Sequence, residues 1–352
     1  MWNKMRRLYT ILTCLSLVLV SCNDCIIDDM NPDYSVYLSA SIEKALQTRT
    51  PYVPSDDVDT NADTPTDANP LLSAIWASTI SDTFADGDNP GNQEGEYEVA
   101  YHTSAHFKNG DKQRLRDIIY SQSGQSIYFV GMYPSTNWET LEEGKIAQYT
   151  FTGKEDVMFA HRVSGYYQAG GLSVIPNLLF HHLLTWLKFE IKAESEDVAN
   201  MWGPISEIKI RSNDRVKIGF DYTESNWAEK IAFSGSTGDP RLNLYKKDTD
   251  EIFPGDPYVI PYSTTEEVAY VMCAPVVGAN QEYDYYLEIT TQHRTTTVPI
   301  NLKSAQHTAF SGSTMGKQFT LSLLFKAGNN VAVSTVVTDW ENGGVSSGTI
   351  VE

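Results

Sequence analysis

Histidines are the residues whose types and spacing could hold a metal ion. The chain has seven, and His102 and His106 have the i, i+4 spacing of a helical zinc motif. Their segment, HTSAH, has no glutamate after the first histidine, and it follows a strand-like run. His181 and His182 are adjacent, so in a strand one faces the core and the other faces solvent. We therefore expect no metal ion and no cofactor.

Nucleophilic and phosphate-binding motifs are absent from the sequence. There is no Gly-x-Ser-x-Gly elbow, no Walker-type phosphate loop and no dinucleotide fingerprint. The 45 acidic residues form runs that are typical of solvated surfaces. We predict that the protein is not an enzyme. The alternative within this point is an extracellular hydrolase, which would need a pair of carboxylates in a cleft.

Cys22 is the residue with the most specific predicted chemistry. A basic head with Lys4, Arg6 and Arg7 precedes an apolar run at residues 8–20, which is too short to span a bilayer permanently. This layout predicts a secretory signal peptide over residues 1–21. The sequence LVSC at residues 19–22 resembles the bacterial lipobox, in which the cysteine is lipidated and becomes the first mature residue. We expect Cys22 to be the lipid attachment site, and the alternative is a chance cysteine at an ordinary cleavage site.

Net charge and the remaining cysteines limit the partners and the cross-links that the protein can have. The formal net charge of −19 disfavours binding to nucleic acid and to anionic lipid, so membrane association has to come from the anchor. Cys14 is removed with the signal peptide and Cys25 lies in the tether that follows it. Cys273, inside the apolar run at residues 269–277, is predicted to be a small buried hydrophobic residue. Disulfides are not expected to stabilise the fold.

One strand is isolated near the start of the mature chain. Residues 34–42 place Tyr34, Val36, Leu38, Ala40 and Ile42 on one side at period two, the pattern of a half-buried strand. Residues 51–70 follow, rich in Asp, Thr, Pro and Asn, with too little apolar content to pack. This composition predicts an exposed hinge between the first strand and the body of the protein.

The body is predicted to be all-β, built from β-sandwiches with little helix. Two short helices are predicted, at residues 111–120 and 196–201. A change from loop to strand near Gly170 and Gly171 divides the body into domains of residues 50–175 and 176–352. The predicted strands are residues 97–103, 126–133, 146–152, 187–193, 206–211, 268–275, 285–291, 295–301, 318–325 and 331–340.

Five segments together resemble the fimbrillin family, the lipoprotein precursors of Bacteroidales that build type V pili. Their order and spacing cover nearly the whole mature chain. The sequence departs from the family where MFA at residues 158–160 replaces a Leu-Tyr-Ala type segment, and where a second histidine follows His181. These departures bear on the subgroup and not on the family. The segments are the lipobox at Cys22, YFVGMYP at 128–134, EDVMFA at 155–160, FHHLLTWLKFEI at 180–191 and VTDWENGG at 337–344.

The resemblance implies two tandem, antiparallel, transthyretin-like β-sandwich domains without catalysis. It also implies that an arginine-specific protease removes the anchored first strand, and that a strand of another subunit fills the vacated groove. Arg49 suits this processing because it is the only Lys or Arg between Lys44 and Lys108, and Thr50 follows it. Cleavage there would release residues 22–49 as a propeptide. The alternative is that Arg49 is simply an exposed surface residue.

The partners implied by the resemblance are other fimbrial subunits in a head-to-tail polymer, the outer membrane before processing, the protease, and surface ligands of host or bacterial origin. The location is then the cell outer membrane and a cell-surface fimbrium, which supports adhesion. The donor strand is expected in the C-terminal domain at residues 331–340, where Val331, Val333 and Val337 share one parity. The same segment could instead be the fixed last strand of that domain.

A binding protein is the alternative function. In this hypothesis the chain is an outer-membrane lipoprotein that binds glycans and never polymerises. The aromatic residues that could stack on sugars are Tyr166, Tyr167 and the tyrosines at 283, 285 and 286, while cross-strand aromatic pairs account for most such residues in β proteins.

Overall fold

The computed structural model describes fifteen ranges of the chain, and the predicted site residues Cys22, Arg49 and Thr50 lie outside them. Among the described residues, no helix is long and apolar enough to cross a membrane. The described ranges are residues 34–42, 71–79, 101–107, 112–121, 124–141, 146–168, 172–212, 215–221, 231–235, 240–247, 249, 251–276, 284–302, 314–328 and 330–339.

The described residues form 22 strands and one helix, so the predicted all-β class is confirmed. In chain order the elements are β1 (Ser35–Ile42), β2 (Leu71–Ser78), β3 (Tyr101–Phe107), β4 (Gln113–Ile119), β5 (Ile127–Tyr133), β6 (Trp138–Leu141), β7 (Ile146–Thr150), β8 (Met158–Gly165), β9 (Tyr167–Gln168), β10 (Leu172–Ser173), β11 (Asn177–His182), β12 (Thr185–Ala193), α1 (Glu196–Trp202), β13 (Ile205–Arg211), β14 (Lys217–Asp221), β15 (Ala232–Ser234), β16 (Arg241–Asn243), β17 (Tyr245–Lys246), β18 (Glu266–Cys273), β19 (Tyr285–Thr291), β20 (Thr295–Ile300), β21 (Lys317–Phe325) and β22 (Val331–Asp339).

A seven-stranded sheet contains most of the N-terminal strands, in the order β3-β2-β5-β8-β11-β1-β4. Gly131 in β5 sits where a Cβ atom would lie 2.6 Å from the ring of Phe180, so only glycine leaves room for that ring. One face of the sheet buries a core of its own, which includes Val36, Leu38, Phe107, Leu115, Phe129, Leu178 and Phe180.

The C-terminal strands form a sandwich around a second core. A five-stranded sheet, β17-β18-β12-β21-β22, and a four-stranded sheet, β16-β13-β19-β20, contribute alternate side chains to it. Strand β19 has a strict alternation of buried and half-buried residues, as expected for one face turned to the core. Most pairings are antiparallel, and the parallel exceptions among the described strands are β1 with β11 and β12 with β21.

A further four-stranded sheet, β15-β14-β7-β6, takes strands from both sides of residue 175. Its central pair joins β7 to β14 in antiparallel register, with Tyr149 opposite Ile218. Tyr149, Ile218 and Phe220 share the second core with Trp76 and Met132 of the seven-stranded sheet. The division of the body at residue 175 remains a prediction, and these hydrogen bonds cross it.

The two predicted helices have different outcomes. The helix at residues 196–201 is confirmed as α1, whose first turn is capped by the hydroxyl of Ser195, which accepts from the Val198 amide at 3.3 Å. The helix at residues 111–120 is wrong, because that segment forms strand β4. Irregular pairing with β1 puts three extra residues on β4, so Leu115 and Ile118 are both buried at a spacing that imitates a helix.

Candidate functional site

Strand β1 lies inside the seven-stranded sheet, between β11 and β4. Its C-terminal half pairs in parallel with β11, from Ser39 opposite Asn177 to Ile42 opposite Phe180. Its N-terminal half pairs in antiparallel with β4. The amide of Ser39 donates to the Pro176 carbonyl at 3.1 Å. The strand therefore completes two backbone ladders at once.

Side chains of β1 fill the core of this sheet. Val36 and Leu38 are fully buried and Ala40 is 7% exposed, so the predicted inward parity is confirmed at these positions. Tyr34 and Ile42, at the two ends of the same face, are half-buried. The Tyr34 ring lies 4.5 Å from the Tyr167 ring. Without β1, this core would lose the apolar side chains that lie between β4 and β11.

Polar contacts fix the register between β1 and β11. The Asn177 side chain accepts from the Ser39 hydroxyl at 3.1 Å and donates to the Ser41 hydroxyl at 3.0 Å. Because both serines lie on one face of β1, a shift by one residue would remove both contacts. The sequence reasoning missed this contact because Asn177 lies far along the chain from its partners.

Arg49 follows β1 in the sequence, with residues 43–48 between them. Strand β1 ends at Ile42, the next described strand begins at Leu71, and Arg49 is in the interval between them. The chain links β1 covalently to β2 through that interval, and every described contact of β1 with β4 and β11 is non-covalent. Cleavage within it would leave β1 held only by its ladders and its buried side chains.

The C-terminal segment predicted as a donor forms β22, an edge strand that pairs only with β21 among the described strands. The ladder covers the whole strand, from Lys317 opposite Asp339 to Phe325 opposite Val331. Val331 and Thr335 are buried, and Val333 packs against the core. In this arrangement β22 is the last strand of its sheet, and it could serve another subunit only by leaving β21.

Histidine side chains take structural positions. His102 and His106 lie in strand β3, which makes the helical zinc spacing irrelevant, and no group of three or more metal-binding side chains occurs in the described ranges. His182 is buried and His181 is half-buried, as predicted for a strand. The Nδ1 atom of His182 lies 2.6 Å from Oδ2 of Asp156, which is fully buried. The sequence reasoning missed this contact.

Two other predictions concern buried groups. Cys273 is a free, fully buried cysteine as predicted, and burial raises the pKa of its thiol. Tyr285 is wrong as a sugar-stacking candidate, because it is fully buried and its hydroxyl donates to the Ala274 carbonyl at 2.8 Å. Tyr166 is 38% exposed, Tyr167 is half-buried beside Tyr34, and Tyr283 lies outside the described residues.

Comparisons with known proteins identify the fold. No protein-family model matches the sequence, and no curated protein is detectably similar to it. The chain is similar in structure to a provisionally assigned cell adhesion protein from Bacteroides uniformis, with 16% identity, 88% of this chain and 98% of that chain covered, and a TM-score of 0.51. This likeness supports the β-sandwich fold alone.

Two further solved structures are less similar. A provisionally assigned cell adhesion protein from Bacteroides ovatus is 13% identical, covers 87% of this chain and 97% of its own, and has a TM-score of 0.46. A provisionally assigned polysaccharide-binding protein from Bacteroides thetaiotaomicron is 12% identical, covers 87% of this chain and 96% of its own, and has a TM-score of 0.44.

Proposed function

We propose that the protein is a non-catalytic structural subunit of a cell-surface fimbria. In this proposal it is exported as a lipoprotein anchored through Cys22, processed after Arg49, and assembled by donor strand exchange. The observation that carries the proposal is the position of β1, which is buried between β4 and β11 and precedes the interval that contains Arg49.

The energetics of β1 favour exchange over simple loss. Burying one Val or Leu side chain contributes about 1.5–3 kcal/mol, so Val36 and Leu38 together contribute about 3–6 kcal/mol. A folded domain has a net stability of about 5–15 kcal/mol. Removal of β1 without a replacement would therefore cost much of that stability, and it would also expose two unpaired strand edges. A strand from a second subunit would restore both the ladders and the core.

Such a contact is head-to-tail, because one subunit gives a strand and the other accepts it. Contacts of this kind build open filaments and not closed dimers. The donor in this proposal is β22 or the residues that follow it. The first choice requires β22 to leave β21, and the second leaves the five-stranded sheet intact.

We propose that the subunit, once displayed on the cell surface, supports cell adhesion. The Bacteroides uniformis protein of similar fold is assigned provisionally to cell adhesion, and this motivates the same role here. The proposed partners are other fimbrial subunits, the outer membrane before cleavage, and the arginine-specific protease that frees the subunit.

Processing and assembly can be tested on protein recovered from cell surfaces. We expect an intact mass and an N-terminal sequence that begin at Thr50, and a ladder of heat-sensitive polymers when unboiled samples run beside boiled ones on a denaturing gel. Arg49→Ala and Arg49→Lys should both leave folded, membrane-bound monomer. Lys44→Ala is the matched control, because it changes the preceding basic residue and should leave the ladder unchanged. Normal polymer from the Arg49→Ala variant would refute the processing step.

A further inference from the structure

An open groove of about 580 Å³ lies where the seven-stranded sheet meets the β5–β6 turn. One wall comes from β2 and β3, and the other comes from that turn and from β6. The volume is within the range of about 300–1,000 Å³ that is usual for small-molecule sites. The lining side chains that matter for its chemistry are Trp76, His102, Ser104, Asn137, Trp138 and Glu139.

Two flat aromatic surfaces border the groove. Trp138 is half-buried, its ring packs 5.1 Å from that of Tyr149, and its indole N–H donates to the Pro134 carbonyl at 2.8 Å. The His102 ring stacks on Trp76, with ring centres 4.4 Å apart and planes 13° apart. These rings are held by the fold before any ligand arrives, so a ligand does not have to order them.

Polar groups surround the aromatic surfaces. Ser104 and Ser135 belong to the lining and carry hydroxyls, and Asn137 carries an amide. Glu139 is exposed, and its Oε2 accepts from the Gln148 side chain at 3.2 Å across the β6–β7 pair. The groove thus combines aromatic faces with hydrogen-bond donors and acceptors that are accessible to solvent.

We propose that this groove binds a neutral carbohydrate. A sugar ring has an apolar C–H face that packs on an aromatic ring and a rim of hydroxyls that pair with amide, hydroxyl and carboxylate groups. Glu139 and the net charge of −19 both disfavour an acidic polysaccharide. A peptide strand is the less suitable occupant, because its specificity requires pockets for alternate side chains, and most of the lining residues here are polar. The site uses no residue of β1 and does not depend on strand exchange.

The test begins with the full chain on a printed array of neutral and acidic oligosaccharides. The neutral oligosaccharide that binds best is then titrated against the protein in solution. We expect Trp138→Ala to weaken its binding about tenfold, because the change removes one of the two aromatic faces on which a sugar ring could pack. Glu139→Gln removes one charge at an exposed position and should weaken binding several-fold without affecting folding.

Controls separate binding from folding. Tyr262→Ala changes an exposed aromatic residue outside the groove and should bind as the unchanged protein does. Thermal unfolding of every variant identifies any loss that comes from damage to the Trp138 packing. Binding to no neutral oligosaccharide, or binding that survives both Trp138→Ala and Glu139→Gln, would overturn the proposal. The proposal would also be overturned if a synthetic peptide of residues 331–340 protected the backbone amides of β3 from hydrogen exchange while no neutral oligosaccharide did so.

Discussion

At the residue scale, the pair of Asp156 and His182 stabilises the point where the chain passes from the seven-stranded sheet to the five-stranded sheet. Asp156 precedes β8, and His182 ends β11, with two residues between it and Thr185, where β12 begins. Next to the pair, the Leu183 amide donates to the Val157 carbonyl at 2.8 Å. The pair therefore fixes a crossing between sheets, which gives these two buried polar residues a structural role.

Removing the carboxylate should destabilise the fold measurably. Asp156→Ala leaves a buried imidazole N–H without its acceptor, and such a loss costs about 1–3 kcal/mol of unfolding free energy. Asp156→Asn keeps one acceptor and should lose less. Urea unfolding at neutral pH provides the measurement. The control is Glu288→Ala, which breaks an exposed ion pair to Arg241 and should cost below about 1 kcal/mol. Equal losses for the Asp156→Ala and Glu288→Ala variants would contradict the assigned role.

At the element scale, sequence pattern predicts the strands that have one buried face and fails where local rules are broken. Strand β19 alternates regularly and its bounds were predicted correctly. Strand β2 was not predicted, because burial on both faces removes the alternation. Strand β4 imitates a helix through its bulge.

The candidate site around β1 is also only partly predictable from the sequence. The inward face of β1 follows from period two, since it depends only on local spacing. Its neighbours β4 and β11 do not follow, because strand pairing depends on contacts between segments far apart in the chain. The groove beside Trp138 was missed for the same reason: its walls come from β2, β3 and β6, and no motif links them.

The contribution of β1 to the core can be measured with a matched pair of substitutions. Leu38→Ala removes a fully buried side chain and should lower the unfolding free energy by about 2–5 kcal/mol. Leu179→Ala makes the same chemical change on the adjacent strand β11, where the side chain is 39% exposed, and should change stability by about 0.5 kcal/mol or less. Thermal and urea unfolding of the two variants gives the comparison. A Leu38→Ala loss no larger than that of Leu179→Ala would mean that β1 does not complete the core.

At the scale of the whole molecule, the proposed cleavage after Arg49 would turn β1 into a strand that the rest of the chain binds as a ligand. Among the described residues, β1 contacts β4 and β11 through hydrogen bonds and apolar side chains. The interval that follows it in the sequence contains Arg49. A ligand that binds only the folded state stabilises it by mass action, by about 2.7 kcal/mol at a concentration of 100 times its Kd. This relation makes strand exchange measurable without a cell.

A chain that begins at Thr50 should therefore unfold at a lower temperature than a chain that begins at Cys22. Adding a synthetic peptide of residues 34–42 should raise its unfolding temperature with a saturable dependence on peptide concentration, because the peptide refills the cleft between β4 and β11. The same peptide should suppress polymer formation, since it occupies the site that a donor strand needs. A control peptide with Val36→Asp and Leu38→Asp retains the backbone but places charges in the core, so it should do neither. If the two chains unfold at the same temperature and the peptide has no effect, β1 is not the strand that another subunit replaces.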